Sequence, residues 1–164
     1  MVVYIEVDKI SGEVPSDCNV LEAAKYFGID IPHFCYHKKL SVAANCRMCL
    51  VQIEGSNKLV PACATKVVHN LKVLTRSKVV LAAQRSVMEF LLINHPLDCP
   101  ICDQGGECEL QDISISYGSS KSRFLEKKRI LPDVNLGNLV ISNMSRCILC
   151  TRCIRFCTEI AGVS

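Results

Sequence analysis

The chain has 164 residues, 49% of them hydrophobic and 21% charged, with a net charge of +3. That balance excludes a disordered polyelectrolyte, and the lack of a dense basic run excludes a nucleic-acid surface. Aromatics reach only 5% and Trp is absent, while Cys occurs 12 times, so a modest aliphatic core must share its structural work with sulfur.

Met1 leads straight into Val2-Val3-Tyr4-Ile5-Glu6-Val7. Neither a secretory leader nor an Arg-rich transit peptide is expected from that start, and a disulfide framework is therefore not expected either. No apolar run approaches the roughly 18 residues of a membrane span, so the protein is expected to be soluble or peripheral to something larger. Residues 2–7 read as a strand, Ser11-Gly12 as a tight turn, and Glu13-Val14 as the return strand. Pro15-Ser16-Asp17 supplies helix-start chemistry, and Val20, Leu21, Ala24 and Phe27 recur at helical spacing until Gly28. A long loop follows over 32–47. Residues 49–54 and 58–64 read as two further strands, with Cys63 at the end of the second. A small sheet crossed by one helix, a ubiquitin-like (β-grasp) arrangement, is expected for residues 1–76.

Residues 77–95 form the next predicted helix, on the spacing of Val80, Leu81, Val87, Met88, Leu91 and Leu92. Residues 109–138 are weakly patterned and are expected to be irregular, with Lys127-Lys128-Arg129 as a solvated turn. A short apolar strand is predicted over 139–141, and residues 146–160 are expected to be helical in part. The fold class is α+β. It is expected to divide into a β-grasp domain (1–76), a helix with a small irregular domain (77–136), and a short C-terminal segment (137–164). The chain is expected to be a fragment of something longer.

Three sets of ligand-type residues stand along this frame. Cys35, Cys46, Cys49 and Cys63 are spaced C-x10-C-x2-C-x13-C. Four thiolates suit a [2Fe–2S] centre, although a four-cysteine zinc site uses similar C-x2-C knuckles. His95, Cys99, Cys102 and Cys108 follow as H-x3-C-x2-C-x5-C, closed by Gly105-Gly106. At the end of a helix His95 has a simpler alternative role, binding the last carbonyls. Zinc on one His and three Cys is the chemical competitor of a cluster there. Cys147, Cys150, Cys153 and Cys157 run as C-x2-C-x2-C-x3-C, the bacterial ferredoxin pattern except that Thr158 replaces its final Pro. Zinc sites rarely use three cysteines this close, so the third set favours iron–sulfur. Cys18 reads as a small buried apolar side chain. Cys157 reads the same way, with a spare ligand as the alternative.

The stretches Ile31-Pro32-His33-Phe34-Cys35-Tyr36-His37, Asn45-Cys46-Arg47-Met48-Cys49-Leu50-Val51, the run from Glu89 to Cys108 and that from Arg146 to Phe156 resemble the large iron–sulfur subunit of NADH:quinone oxidoreductase, respiratory complex I. The resemblance covers essentially the whole chain. It implies a [2Fe–2S] cluster on Cys35, Cys46, Cys49 and Cys63, and a [4Fe–4S] cluster on His95, Cys99, Cys102 and Cys108. A second [4Fe–4S] cluster is implied on Cys147, Cys150 and Cys153, its fourth ligand lying beyond residue 164. Implied partners are a flavin-bearing, NADH-oxidising subunit and other peripheral-arm subunits, with no nucleic acid and no membrane insertion. The implied location is the cytoplasmic face of a bacterial inner membrane or the mitochondrial matrix side.

The implied activity is electron relay towards quinone, as part of an oxidoreductase, with no catalytic acid, base or nucleophile in this chain. Backbone N–H groups of Gly105 and Gly106 are candidates to bond cluster sulfur and raise a potential. Arg47, Arg146, Arg152 and Arg155 are candidates to stabilise a reduced cluster, against surface ion pairs or subunit contacts. Two other classes keep a place: the accessory relay of a hydrogenase or formate dehydrogenase, and a zinc-stapled interaction module.

Overall fold

The computed structural model describes residues 1–163. β1 (Val2–Val7) and β2 (Ile10–Pro15) pair antiparallel with Val7 opposite Ile10. Between them Asp8 and Lys9 both have positive φ, 47° and 73°, which gives a two-residue hairpin turn the twist of its strands. The turn expected at Ser11-Gly12 is therefore misplaced, and both residues lie inside β2. Gly12 is small for another reason: a Cβ there would sit 2.8 Å from the Phe27 ring.

α1 (Val20–Tyr26) begins at Asn19. The Asn19 side-chain oxygen accepts from the Glu22 N–H at 2.9 Å, and the Glu22 carboxylate accepts from the Asn19 N–H at 3.3 Å. This reciprocal cap is worth about 1 kcal/mol. It starts the helix after Pro15-Ser16-Asp17, which instead belongs to the turn leaving β2. Gly28, at φ 71°, closes the other end as expected: its N–H donates to the Lys25 carbonyl and that of Ile29 to Ala24.

Strands β3 (Leu50–Ile53), β4 (Leu59–Pro61) and β5 (Leu71–Leu74) complete a mixed sheet in the order β2-β1-β5-β3-β4. β5 is its central strand, parallel to β1 and antiparallel to β3, and the sequence pattern missed it. Only Leu71 and Val73 alternate inward, too few residues for a period of two to stand out. β4 stops at Pro61, so Cys63 lies just past the strand, not at its end. One face of α1 packs Val20, Leu21, Ala23 and Ala24 onto Ile5, Val7, Val51 and Val73. Cys18 joins that core, its thiol donating to the Pro15 carbonyl at 3.0 Å, as its reading as an apolar side chain requires.

α2 (Lys78–Leu92) starts at Ser77, whose hydroxyl oxygen accepts from the Val80 N–H. Its buried stripe is Val80, Gln84 and Met88, at i, i+4 and i+8. Leu81, assigned to that stripe by spacing, is 43% exposed. At the far end Lys128 Nζ donates to the carbonyls of Leu92 and Ile93, at 2.7 and 3.1 Å. Lys127 and Arg129 are exposed, as expected of the basic triplet, but its middle residue caps the negative end of α2.

Residues 109–138 are not irregular throughout, since α3 (Glu109–Tyr117) occupies the first third. Its pattern is weak because only Leu110 is fully buried. α3 lies against α2, and a second apolar cluster of Phe34, Met48, Met88 and Leu110 forms where they meet the first domain. β6 (Val134–Asn135) and β7 (Ile141–Ser142) make a small hairpin. The strand expected over 139–141 keeps only Ile141, and Leu139 is 96% exposed. α4 (Arg152–Phe156) and a π-type turn (Cys157–Ala161) bear out the partly helical expectation for the last segment. Mixed sheet and helices together make an α+β chain, as expected. Among the described residues no helix is long and apolar enough to cross a membrane.

Candidate metal centres

The long loop after Pro32 brings Cys35 and Cys46 to the mouth of the sheet, where Cys49 precedes β3 and Cys63 follows β4. Ala44 and Arg47 adopt left-handed backbone, φ 51° and 59°, so the C-x2-C segment turns sharply around Cys46. The Cys35 N–H donates to the Cys46 sulfur at 3.5 Å. Cys35, Cys49 and Cys63 are buried, Cys46 is half-buried, and all four are free thiols.

The four thiols lie close enough to shift one another's titration. The neighbouring Cys46 and Cys63 thiols hold the Cys35 sulfur far below the ordinary thiol range. Cys63 is pushed far up by Cys35 and Cys49 and then by burial. Cys46 is raised by Cys35 and by burial, while Cys63 lowers Cys49 to about 7. Three buried sulfurs and one half-buried sulfur gathered together, one of them favouring the thiolate, fit a thiolate-bound iron–sulfur group.

His95, Cys99, Cys102 and Cys108 line a single cavity of about 120 Å³ between the end of α2 and the start of α3. His95 does not cap α2, since Lys128 occupies the carbonyls in question. Burial, then Lys128, lowers the His95 pKa, with Asp98 opposing and Arg146 adding to the shift. The imidazole is thereby held neutral, its metal-binding form. A one-His, three-thiol donor set around a cavity fits a cluster.

Gly105 is sterically required there. A Cβ would lie 2.7 Å from the Cys99 carbonyl oxygen and 3.1 Å from that of Cys102. Gly105→Ala is expected to cost the middle centre most of its iron while leaving the first intact, read by iron content and EPR. The glycine N–H groups are not free for sulfur: that of Gly105 donates to the Cys102 carbonyl and that of Gly106 to Gln111 Oε1. This corrects the expected tuning role.

In the third set, left-handed Leu149 and Thr151, φ 55° and 61°, flank Cys150. The Leu149 N–H donates to the Cys147 sulfur at 3.4 Å. Cys147 and Cys153 are exposed and Cys150 is half-buried. Cys157 is exposed too, so its reading as a packed side chain is wrong; it shares a shallow groove with Cys153, His37 and Arg152. Among the described residues no three His, Cys, Asp or Glu side chains close on one point suited to a lone ion.

The candidate arginines separate by environment. Arg47 is exposed. Arg146 pairs with Asp98 at 3.3 Å, beside the middle loop. Arg152 donates to the Tyr36 carbonyl at 2.7 Å and lies 3.8 Å from Glu109. Arg155 is buried, with its guanidinium among backbone carbonyls. Sequence spacing had no signal for its contacts to Ser41 and Cys35, which join residues more than a hundred positions apart. The same holds for Asn45, donor to the Leu149 carbonyl, and for Glu159, acceptor from the Ser41 N–H.

Family models match each of the three segments that carry these sets. Residues 1–78 match a family model described as a 2Fe-2S iron-sulfur cluster binding domain. Residues 84–123 match the NADH-ubiquinone oxidoreductase-G iron-sulfur binding region, and residues 137–164 the ferredoxin-like domain of NADH-quinone oxidoreductase subunit 3. The chain is 55% identical over 161 residues to the NADH-ubiquinone oxidoreductase 75 kDa subunit of Reclinomonas americana, covering 98% of itself and 23% of that protein. It is 53% identical over 162 residues to NADH dehydrogenase [ubiquinone] iron-sulfur protein 1 of Solanum tuberosum, 99% of this chain and 22% of that one. Against an NADH-quinone oxidoreductase subunit of Rickettsia felis the identity is 50%, over 98% of this chain and 24% of that protein. The chain therefore spans less than a quarter of the length of these relatives. Among solved structures, a chain of the NAD+-reducing [NiFe]-hydrogenase in its H2-reduced state superimposes with TM-score 0.77 at 28% identity, over 95% of this chain and 66% of that one.

Proposed function

We infer, for a chain that belongs with the large iron–sulfur subunits of NADH:quinone oxidoreductase and matches their N-terminal portion, that it is an electron relay of that complex. Cys35, Cys46, Cys49 and Cys63 would hold a [2Fe–2S] cluster, and His95, Cys99, Cys102 and Cys108 a [4Fe–4S] cluster. Cys147, Cys150 and Cys153 would hold a second [4Fe–4S] cluster with a fourth ligand from outside these residues. When bound, such clusters accept and release single electrons. The protein's part is to grip, space and shield them. Residues 1–76 read as a β-grasp domain, 77–136 as the middle cluster domain, and 137–164 as a partial ferredoxin-like domain.

The observation that carries this reading is the gathering of four free cysteines at one end of the first sheet, three of them buried and the fourth accepting from the Cys35 N–H. Phe34, Met48, Met88 and Leu110 support it, because they fill the space between the first two ligand sets with apolar side chains and keep water out. Electrons would come from a flavin-bearing, NADH-oxidising subunit and leave towards quinone, within a peripheral arm on the cytoplasmic or matrix side of its membrane.

Anaerobic purification with iron and sulfide counting, followed by EPR during stepwise reduction, tests this. One [2Fe–2S] signal and at least one [4Fe–4S] signal are expected. A colourless, zinc-containing, EPR-silent chain would instead make it a stapled interaction module. The hydrogenase likeness favours a second reading, an accessory relay in an NAD+-reducing hydrogenase, though at 28% against 50–55% identity. A further C-x2-C-x2-C-x3-C run encoded downstream would select it.

A further inference from the structure

The first and third ligand sets are joined by one side chain. Arg155, 9% exposed, reaches from α4 into the loop that carries Cys35. Its Nη2 donates to the Cys35 carbonyl at 2.5 Å and to the Cys150 carbonyl at 3.2 Å. Its Nη1 donates to the Ser41 carbonyl at 2.5 Å, and its Nε to Thr151 Oγ1 at 3.2 Å. A buried guanidinium needs such saturation to be tolerated. Here every acceptor comes from one of the two loops and none is a carboxylate; the nearest facing carboxylate, that of Glu159, is held by the Ser41 N–H and hydroxyl and offsets the positive charge only in part. Around it Arg152 holds the Tyr36 carbonyl, Asn45 holds that of Leu149, and Glu159 accepts from the Ser41 N–H and hydroxyl. These contacts span the same two loops; the middle set is reached from the third by other pairs, Arg152 to Glu109 and Arg146 to Asp98, and by no atom of Arg155.

We propose that Arg155 is a positioning residue: its guanidinium ties the Cys35 carbonyl to that of Cys150, locks the first and third ligand loops together, and biases the first centre towards its reduced state. A reduced cluster carries one more negative charge than an oxidised one. A fixed cation in a low-dielectric region beside a ligand therefore favours reduction. The bidentate reach across two loops needs the planar fork of Arg, which Lys cannot reproduce.

The inference rests on the relay reading, and the test keeps the two separable. Arg155→Met and Arg155→Lys are made in the 164-residue chain, prepared anaerobically. The [2Fe–2S] centre is titrated by EPR, with the middle centre as internal reference and amide exchange followed over both loops. In Arg155→Met the ratio of reduced to oxidised [2Fe–2S] at fixed poise is expected to fall about tenfold, or about 59 mV for one electron. Exchange should rise over residues 35–45 and 147–153, and the middle centre should be unchanged. Arg155→Lys, which keeps the charge and loses the fork, should restore most of the potential and little of the exchange protection. A first-centre potential equal to the unsubstituted chain's in both variants overturns the proposal and leaves the relay reading standing. Loss of every centre from both variants makes Arg155 a general folding residue and overturns it too. An unsubstituted chain without acid-labile sulfide removes the relay reading and this one together.

Discussion

Cys63→Ala is expected to remove the [2Fe–2S] signal altogether, with iron content falling by about two atoms per chain and the remaining clusters retained. Cys63 lies beside Cys35 and Cys49, each of which shifts its titration, and it is buried just beyond β4. Its neighbours come from the long loop and from the start of β3, so no nearby thiol can take its place. Cys18 lies in the same core, but its thiol is turned to the Pro15 carbonyl. Alanine leaves a void of one sulfur atom, a cost of about 1 kcal/mol, so the sheet should survive. Circular dichroism then separates loss of a ligand from loss of fold. A Cys63→Ala chain that retains its [2Fe–2S] EPR signal and full iron count would remove Cys63 from the ligand set.

His95→Cys is expected to lower the midpoint potential of the middle centre by roughly 100 mV or more, on the scale set by His-for-Cys exchange in Rieske centres. The sign follows from charge. A neutral imidazole is replaced by a thiolate, the centre becomes more negative, and adding an electron is harder. The geometry supports a direct effect, because His95 faces the same cavity as Cys99, Cys102 and Cys108. Burial and the nearby Lys128 keep the imidazole neutral before substitution. The cysteine should still assemble a cluster, since four thiolates are the ordinary donor set. Redox titration followed by EPR measures the shift. An unchanged midpoint, or a shift towards easier reduction, would take His95 out of the ligand set.

Much of the first domain was readable because its signals are local. The alternation of β1, the helical spacing that ends at Gly28 and the C-x2-C turn each involve residues a few positions apart. Errors came where a neighbour decides. Gly12 resembles a turn glycine but yields to the Phe27 ring, and the real turn uses Asp8 and Lys9, which have no glycine to announce them. β5 is short, and it becomes the central strand only because β1 and β3 leave a gap between them. α3 buries one residue fully, so its pattern looked like loop.

The ligand candidates themselves were legible from spacing, since thiolates that share an iron sit on tight turns and tight turns have short periods. Which of them converge was not. Cys35 and Cys63 are brought together by the sheet, and Lys128 displaces His95 from the end of α2 across a gap of more than thirty residues.

The order of residues by itself therefore determined the candidate donors, their spacing in three sets and the family resemblance, because each is carried by covalent neighbours. Only the tertiary structure decided how those sets sit against one another: the apolar layer of Phe34, Met48, Met88 and Leu110, and the arginine that joins two distant loops. Packing and buried hydrogen bonds choose partners by position in space, and position in space depends on the whole chain at once.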